Sequence, residues 1–86
     1  MTGYPLLLDL TGRRVVVVGG GMVASRRVRG LTEAGADVLV VAPELRPEVA
    51  DAAARAERRP FVPADLDGAW LAVACADDPA VNAAVA

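Results

Sequence analysis

The sequence predicts an α/β fold, a doubly wound parallel sheet with helices between its strands. Three observations carry that expectation. Apolar runs at Arg14–Val18, Val38–Val41 and Gly68–Ala76 do not alternate with polar residues, as expected of strands covered on both faces. Between them the apolar period changes to that of a helix. Glycines and prolines stand at the changeovers, where they punctuate.

Taken in order, Tyr4 to Gly12, "YPLLLDLTG", reads as an extended lead-in closed by a Thr11-Gly12 turn. Arg14–Val18 is the first strand, β-branched and apolar on both faces. From Gly21 to Ala34, residues Ala24, Val28, Leu31 and Ala34 fall on one helical face, with Arg26, Arg27 and Glu33 off it. Gly35 follows, where a left-handed cap favours glycine. Val38–Val41 is the second strand. Pro47 then opens a second helix from about Glu48, with Val49, Ala52, Ala53 and Ala56 as its inner face and Arg58-Arg59-Pro60 as its end. "PFVPADL", Pro60 to Leu66, reads as a short strand near a sheet edge, because proline cannot donate to a ladder. Gly68–Ala76 is the next buried strand. Asp78-Pro79 reads as an N-cap and first-turn proline, with Val81, Ala84 and Val85 beginning a third helix. A doubly wound sheet would continue into a further strand beyond Ala86.

Composition narrows the function. With 86 residues the chain makes one small domain. At 55% apolar it is too hydrophobic for disorder. The net charge of −2 and only three aromatics, Tyr4, Phe61 and Trp70, argue against a nucleic-acid partner. All nine basic residues are arginine, and five of them (Arg13, Arg14, Arg26, Arg27, Arg29) precede Glu33 with Asp9 as the only acid. This cluster reads either as a solvated helix face and turn or as a site for an anion, which the arginine fork grips well. Cys75 is the only cysteine and there is no histidine, so neither an internal disulfide nor an ordinary zinc site is expected. Cys75 lies in "WLAVACA", where a thiol behaves as a small buried hydrophobe. No signal peptide is recognisable, and the apolar runs are too short to span a bilayer. The expectation is a soluble, cytoplasmic protein without a membrane partner.

The stretch "RRVVVVGGGMVASRR" carries the chemistry. It contains G-x-G-x-x-A, with Gly19, Gly21 and Ala24 in the fixed places, after a buried strand and at the head of a helix. Gly19 permits the turn, Gly21 lets a pyrophosphate approach the backbone, and Ala24 allows the helix to pack closely. The helix start offers unpaired N–H groups and the positive dipole end. This reads as the phosphate turn of a Rossmann-like dinucleotide fold, the alternative being a glycine turn that packs tightly without a ligand. Val41-Ala42-Pro43-Glu44 ends the second strand without the usual ribose-binding acid, leaving Glu44 as the nearest carboxylate and Arg46 as the nearest base. That composition leans to NAD over NADP.

These residues resemble a known family. "YPLLLDLTGRRVVVVGGGMVASRRVRGLTEAGADVLVVAPEL" and "WLAVACADDPAVN" are similar to the N-terminal NAD-binding domain of siroheme synthases, the precorrin-2 dehydrogenase module, which in some members is also a ferrochelatase. The resemblance covers nearly the whole chain, which would make residues 1–86 one NAD-binding domain. It implies oxidation of precorrin-2 to sirohydrochlorin with NAD as hydride acceptor. By position it implies that Gly19, Gly21 and Ala24 form the phosphate turn. It also implies that Met22, Val23, Pro43 and Glu44 contact NAD, and that Ala76 and Asp77 line the cleft. Met22 stands where members often carry a polar residue, and Ala76 where they often carry threonine. The family's key aspartate lies on the strand beyond this chain, so the catalytic residues remain unknown. No resident metal is implied. Members are homodimers, joined through parts outside this chain, and their tetrapyrrole substrate is rich in carboxylates. The rival reading is a nucleotide-sensing Rossmann module without catalysis.

Overall fold

The computed structural model describes residues 9–76. Four parallel strands form one sheet: β1 (Arg14–Val18), β2 (Asp37–Ala42), β3 (Arg55–Arg58) and β4 (Leu71–Ala74), in the order β3-β2-β1-β4. Helix α1 (Met22–Glu33) joins β1 to β2, and α2 (Pro47–Ala52) joins β2 to β3. A 3₁₀ turn (Pro63–Leu66) lies between β3 and β4. The expected α/β fold with a parallel sheet is present. The lead-in up to Leu8, and Asp77 with the expected third helix, lie outside the described residues.

The valine runs explain the centre of the sheet. Val15–Val18 and Val38–Val41 pair in register, Val17 opposite Val40 and Val18 opposite Val41. Their side chains are almost wholly buried and alternate between two cores. On one face Val17, Val38 and Val40 meet Ala24 and Val28 of α1 and Val49 of α2. On the other, Val16, Val18, Leu39 and Val41 meet Phe61, Leu66, Ala69 and Ala72. Each buried valine contributes about 1.5–3 kcal/mol relative to exposure. At the amino end, Gly12 and Gly35 take positive φ, 71° and 84°, and the Gly12 N–H donates to the Gly35 carbonyl over 2.9 Å. Gly35 therefore ends α1 as its sequence position predicts.

Three expectations are corrected. The second helix stops at Ala52, and Arg55–Arg58 forms the third parallel strand. Val49, Ala52, Ala53 and Ala56 do share one core, as their spacing predicts. Ala53, however, is already extended, and Ala56 reaches the core from β3. The Thr32 hydroxyl of α1 donates to the Ala52 carbonyl (2.8 Å), supplying a partner at the helix end. Second, "PFVPADL" contributes no strand. Pro60 and Pro63 have no N–H, and Pro63 instead starts the 3₁₀ turn. Third, β4 is only half-buried, because it pairs with β1 alone among the described strands.

Candidate functional site

The carboxyl ends of β1, β2 and β4 converge on a cleft of about 640 Å³. That is a size typical of small-molecule and cofactor sites. Its floor is made by three successive glycines, the first two each fixed by a different neighbour. Gly19 has φ 138°, a conformation L side chains rarely adopt. A Cβ there would lie 2.5 Å from the Cys75 carbonyl oxygen. The Gly19 N–H donates to the Val41 carbonyl (3.0 Å), tying the turn to β2. At Gly20 a Cβ would collide with the Glu44 carbonyl oxygen and Leu45, and the Gly20 carbonyl accepts the Arg46 N–H (3.0 Å). Gly21 differs from both, since among the described residues a Cβ there would meet nothing within 4 Å.

Gly21 is also the N-cap of α1. Among the described residues no side chain caps the helix, and its first turn holds no acid. The Gly21 carbonyl accepts the first helical bond, from the Ser25 N–H (3.0 Å). The N–H groups at such a start have no intrahelical partner, and the dipole places positive charge there. An open glycine, an uncapped helix start and a cleft coincide at one point. The residues present therefore fit a bound pyrophosphate.

Of the residues singled out from sequence, Gly19, Gly21, Pro43, Glu44 and Ala76 line the cleft. Met22 and Val23 begin α1 and are more than half exposed. Ala24 is fully buried against the sheet, so its place is in packing. Asp77 lies outside the described residues. Sequence reasoning missed Gly20, Leu45, Pro60 and Phe61, which also line the cleft. The signal for Gly20 was present in a third consecutive glycine where the motif needs two. Phe61 falls in the stretch that the sequence reads as a strand.

The arginines do not gather into one patch. Arg13 and Arg14 sit at the amino end of β1, away from the glycines. The Arg13 guanidinium lies 4.9 Å from the Trp70 ring centre, and Arg14 Nε pairs with Asp37 Oδ2 at 2.9 Å. Arg26, Arg27 and Arg29 are exposed on α1. Arg46 lines the cleft, with Nη1 3.3 Å from Glu48 Oε1. Burial pushes the Cys75 thiol above its ordinary range, with Arg27 opposing the shift, so the thiol stays protonated at neutral pH. That is the opposite of what a nucleophile needs. Among the described residues, no group of three or more His, Cys, Asp or Glu side chains is placed to hold a metal ion. No described helix is long and apolar enough to cross a membrane.

Comparison with known proteins agrees with this geometry. The siroheme synthase of Chromobacterium violaceum is 51% identical across the whole chain, and that of Methylobacillus flagellatus is 47% identical over 99% of it. In each case the chain spans 19% of the relative's length. Among solved structures, SirC, a precorrin-2 dehydrogenase, superposes with a TM-score of 0.88 at 38% identity, over 96% of this chain and 44% of SirC. The resemblance read from the lead-in, the triple glycine and "APEL" is thus borne out. A family model described as "Putative NAD(P)-binding" matches residues 6–86. With a phosphate turn, an open Gly21 and a match over nearly its full length, the chain belongs to the NAD(P)-binding family.

Proposed function

We propose that residues 1–86 are the NAD-binding domain of a precorrin-2 dehydrogenase, which oxidises precorrin-2 to sirohydrochlorin in siroheme biosynthesis. The observation that carries this reading is Gly21: the one glycine of the three that no described atom requires stands at a helix start without a side-chain cap, over the cleft. The similarity to siroheme synthases and to SirC supports the substrate. It also favours the dehydrogenase over a nucleotide-sensing module, since those relatives are named as enzymes.

In this reading the backbone N–H groups of Gly21, Met22 and Val23 hold the pyrophosphate. Gly19 shapes the turn, and Ala24 sets how closely α1 lies on the sheet. Pro43 and Glu44 line the ribose side, where Glu44 accepts hydrogen bonds from hydroxyls. Ala76 lines the opposite side, next to the reacting end. NAD, when bound, supplies the hydride acceptor. The chain contributes position, charge complementarity and exclusion of water. The catalytic residues, and any iron insertion, are assigned to no residue here. The protein is expected to act as a homodimer in the cytoplasm.

An amide NMR titration of the chain with NAD, NADP and AMP tests the reading. Shifts concentrated at residues 19–24 and near Glu44 on adding NAD are the expected result. A dispersed spectrum that ignores all three ligands would leave a glycine turn without a ligand and end the proposal.

A further inference from the structure

The cleft has a second wall that the glycine motif does not account for. Pro60 and Phe61 form it, on the β3 side. They belong to an irregular segment outside the strands, with prolines at both ends. Phe61 packs on the sheet, and an ion pair closes the segment around it. Arg59 donates through Nη1 and Nη2 to the two Asp65 carboxylate oxygens, at 2.9 and 2.5 Å. Nη1 also donates to the Pro60 carbonyl (3.2 Å). Asp65 Oδ2 accepts the Val62 N–H (2.8 Å), and the Asp65 N–H donates to the Val62 carbonyl (2.9 Å). The Asp65 side chain is only 6% exposed, so this fork is shielded on the carboxylate side. A two-pronged arginine–carboxylate pair fixes orientation as well as distance.

What the fork encloses is Phe61. Its ring packs on Val16, Val18, Leu39 and Val41 and borders the cleft. Phe61 is the only aromatic residue among the described residues that line the cleft. Cys75 and Ala76 border it at the end of β4, on the other side of the glycine turn. A dinucleotide whose pyrophosphate rests on that turn extends one base toward β4 and the other toward β3. On the β3 side Phe61, Pro60 and Leu45 offer apolar surface suited to a flat heteroaromatic ring.

We propose that the Arg59–Asp65 pair is a positioning device for nucleotide binding, clamping the segment so that Phe61 forms the wall against which the purine base of the dinucleotide lies. This rests on the NAD reading above. Neither Arg59 nor Asp65 touches the nucleotide; both act through Phe61.

The test uses the protein made from its full reading frame. Calorimetric titration with ADP-ribose, and steady-state kinetics in NAD, compare Asp65→Asn, Arg59→Lys and Phe61→Leu with the parent. Phe61→Leu and Asp65→Asn are each expected to weaken ADP-ribose roughly tenfold, the scale of one lost base stack. The loss should fall on KM for NAD and not on kcat, which a merely structural defect would lower as well. Arg59→Lys keeps the charge without the fork and should fall between. The double variant Asp65→Asn/Phe61→Leu should be no worse than the weaker binder of the two, because both act through one wall. If Asp65→Asn does not fold, Arg59→Lys and Phe61→Leu decide. Parent-like ADP-ribose affinity in those variants, additive losses, or a change confined to precorrin-2 would overturn the inference and leave the NAD reading intact. A parent that binds neither ADP-ribose nor NAD would end both.

Discussion

Replacing Gly21 by valine separates ligand binding from folding. The position has φ −91° and ψ −158°, extended backbone that valine adopts readily, and a Cβ there meets no atom of the described residues within 4 Å. The cost to the fold is mainly the exchange of a favoured N-cap residue for a poor one, about 0.5–1 kcal/mol. For a domain of this size that lowers Tm by roughly 2–8 °C. Binding suffers more. The isopropyl group stands over the uncapped helix start and holds a pyrophosphate away from its N–H groups. An anion in a partly buried site at a helix start gains up to about 2 kcal/mol, so affinity should fall by up to about 30-fold. The control is Gly19→Ala. Strain at φ 138° and overlap with the Cys75 carbonyl together cost about 2–6 kcal/mol. That is a large part of a 5–15 kcal/mol stability, so this variant should lose its fold. Circular dichroism melts and NAD titrations on both variants give the comparison. A Gly21→Val protein that binds NAD within about threefold of the parent would refute the reasoning.

Two further outcomes follow from the charged and thiol groups. The Arg59 fork holds the Asp65 carboxyl below its ordinary value, helped by the Val62 N–H and opposed by burial. A carboxyl depressed by folding contributes stability that is present above the unfolded pKa of roughly 3.9 and lost as pH falls through the folded value. Melting curves recorded from pH 6 downward should therefore show Tm falling more steeply below about pH 4 in the parent than in Asp65→Asn; parallel curves would contradict the pairing. Burial raises the Cys75 thiol, so alkylation by iodoacetamide near pH 7.5 should be slow in the native protein and accelerate in denaturant. Equal rates in the two states would show that the thiol is not shielded.

The sequence made the centre of the molecule legible and its periphery less so. Val15–Val18 and Val38–Val41 could be read because strands buried on two faces need apolar residues at every position, and few other structures do. The glycine turn was legible because strand, glycines and helix occur in one short context. The stretch from Ala52 to Leu66 misled. Alanine spacing at 49, 52, 53 and 56 satisfies a helix, yet a short helix followed by a strand brings the same four side chains to the same core. Arg55–Arg58, "RAER", has the composition of a helix surface, and only its place beside β2 makes it a strand. Phe61 stayed hidden for a related reason. Its position depends on an arginine and an aspartate six residues apart, a pairing that no period announces. Gly20 was overlooked because the motif leaves its position unspecified, whereas the loop after β2 does not.

The three glycines answer to different forms of selection. Gly19 and Gly20 are wedged against the ends of two neighbouring strands, so a chain that lost either would struggle to fold whether or not it had a ligand. At Gly21 no described atom stands where a side chain would go. A descendant that had abandoned its cofactor would keep the first two and let the third drift. Two glycines in this turn thus answer to the fold, and the third would answer to the proposed ligand.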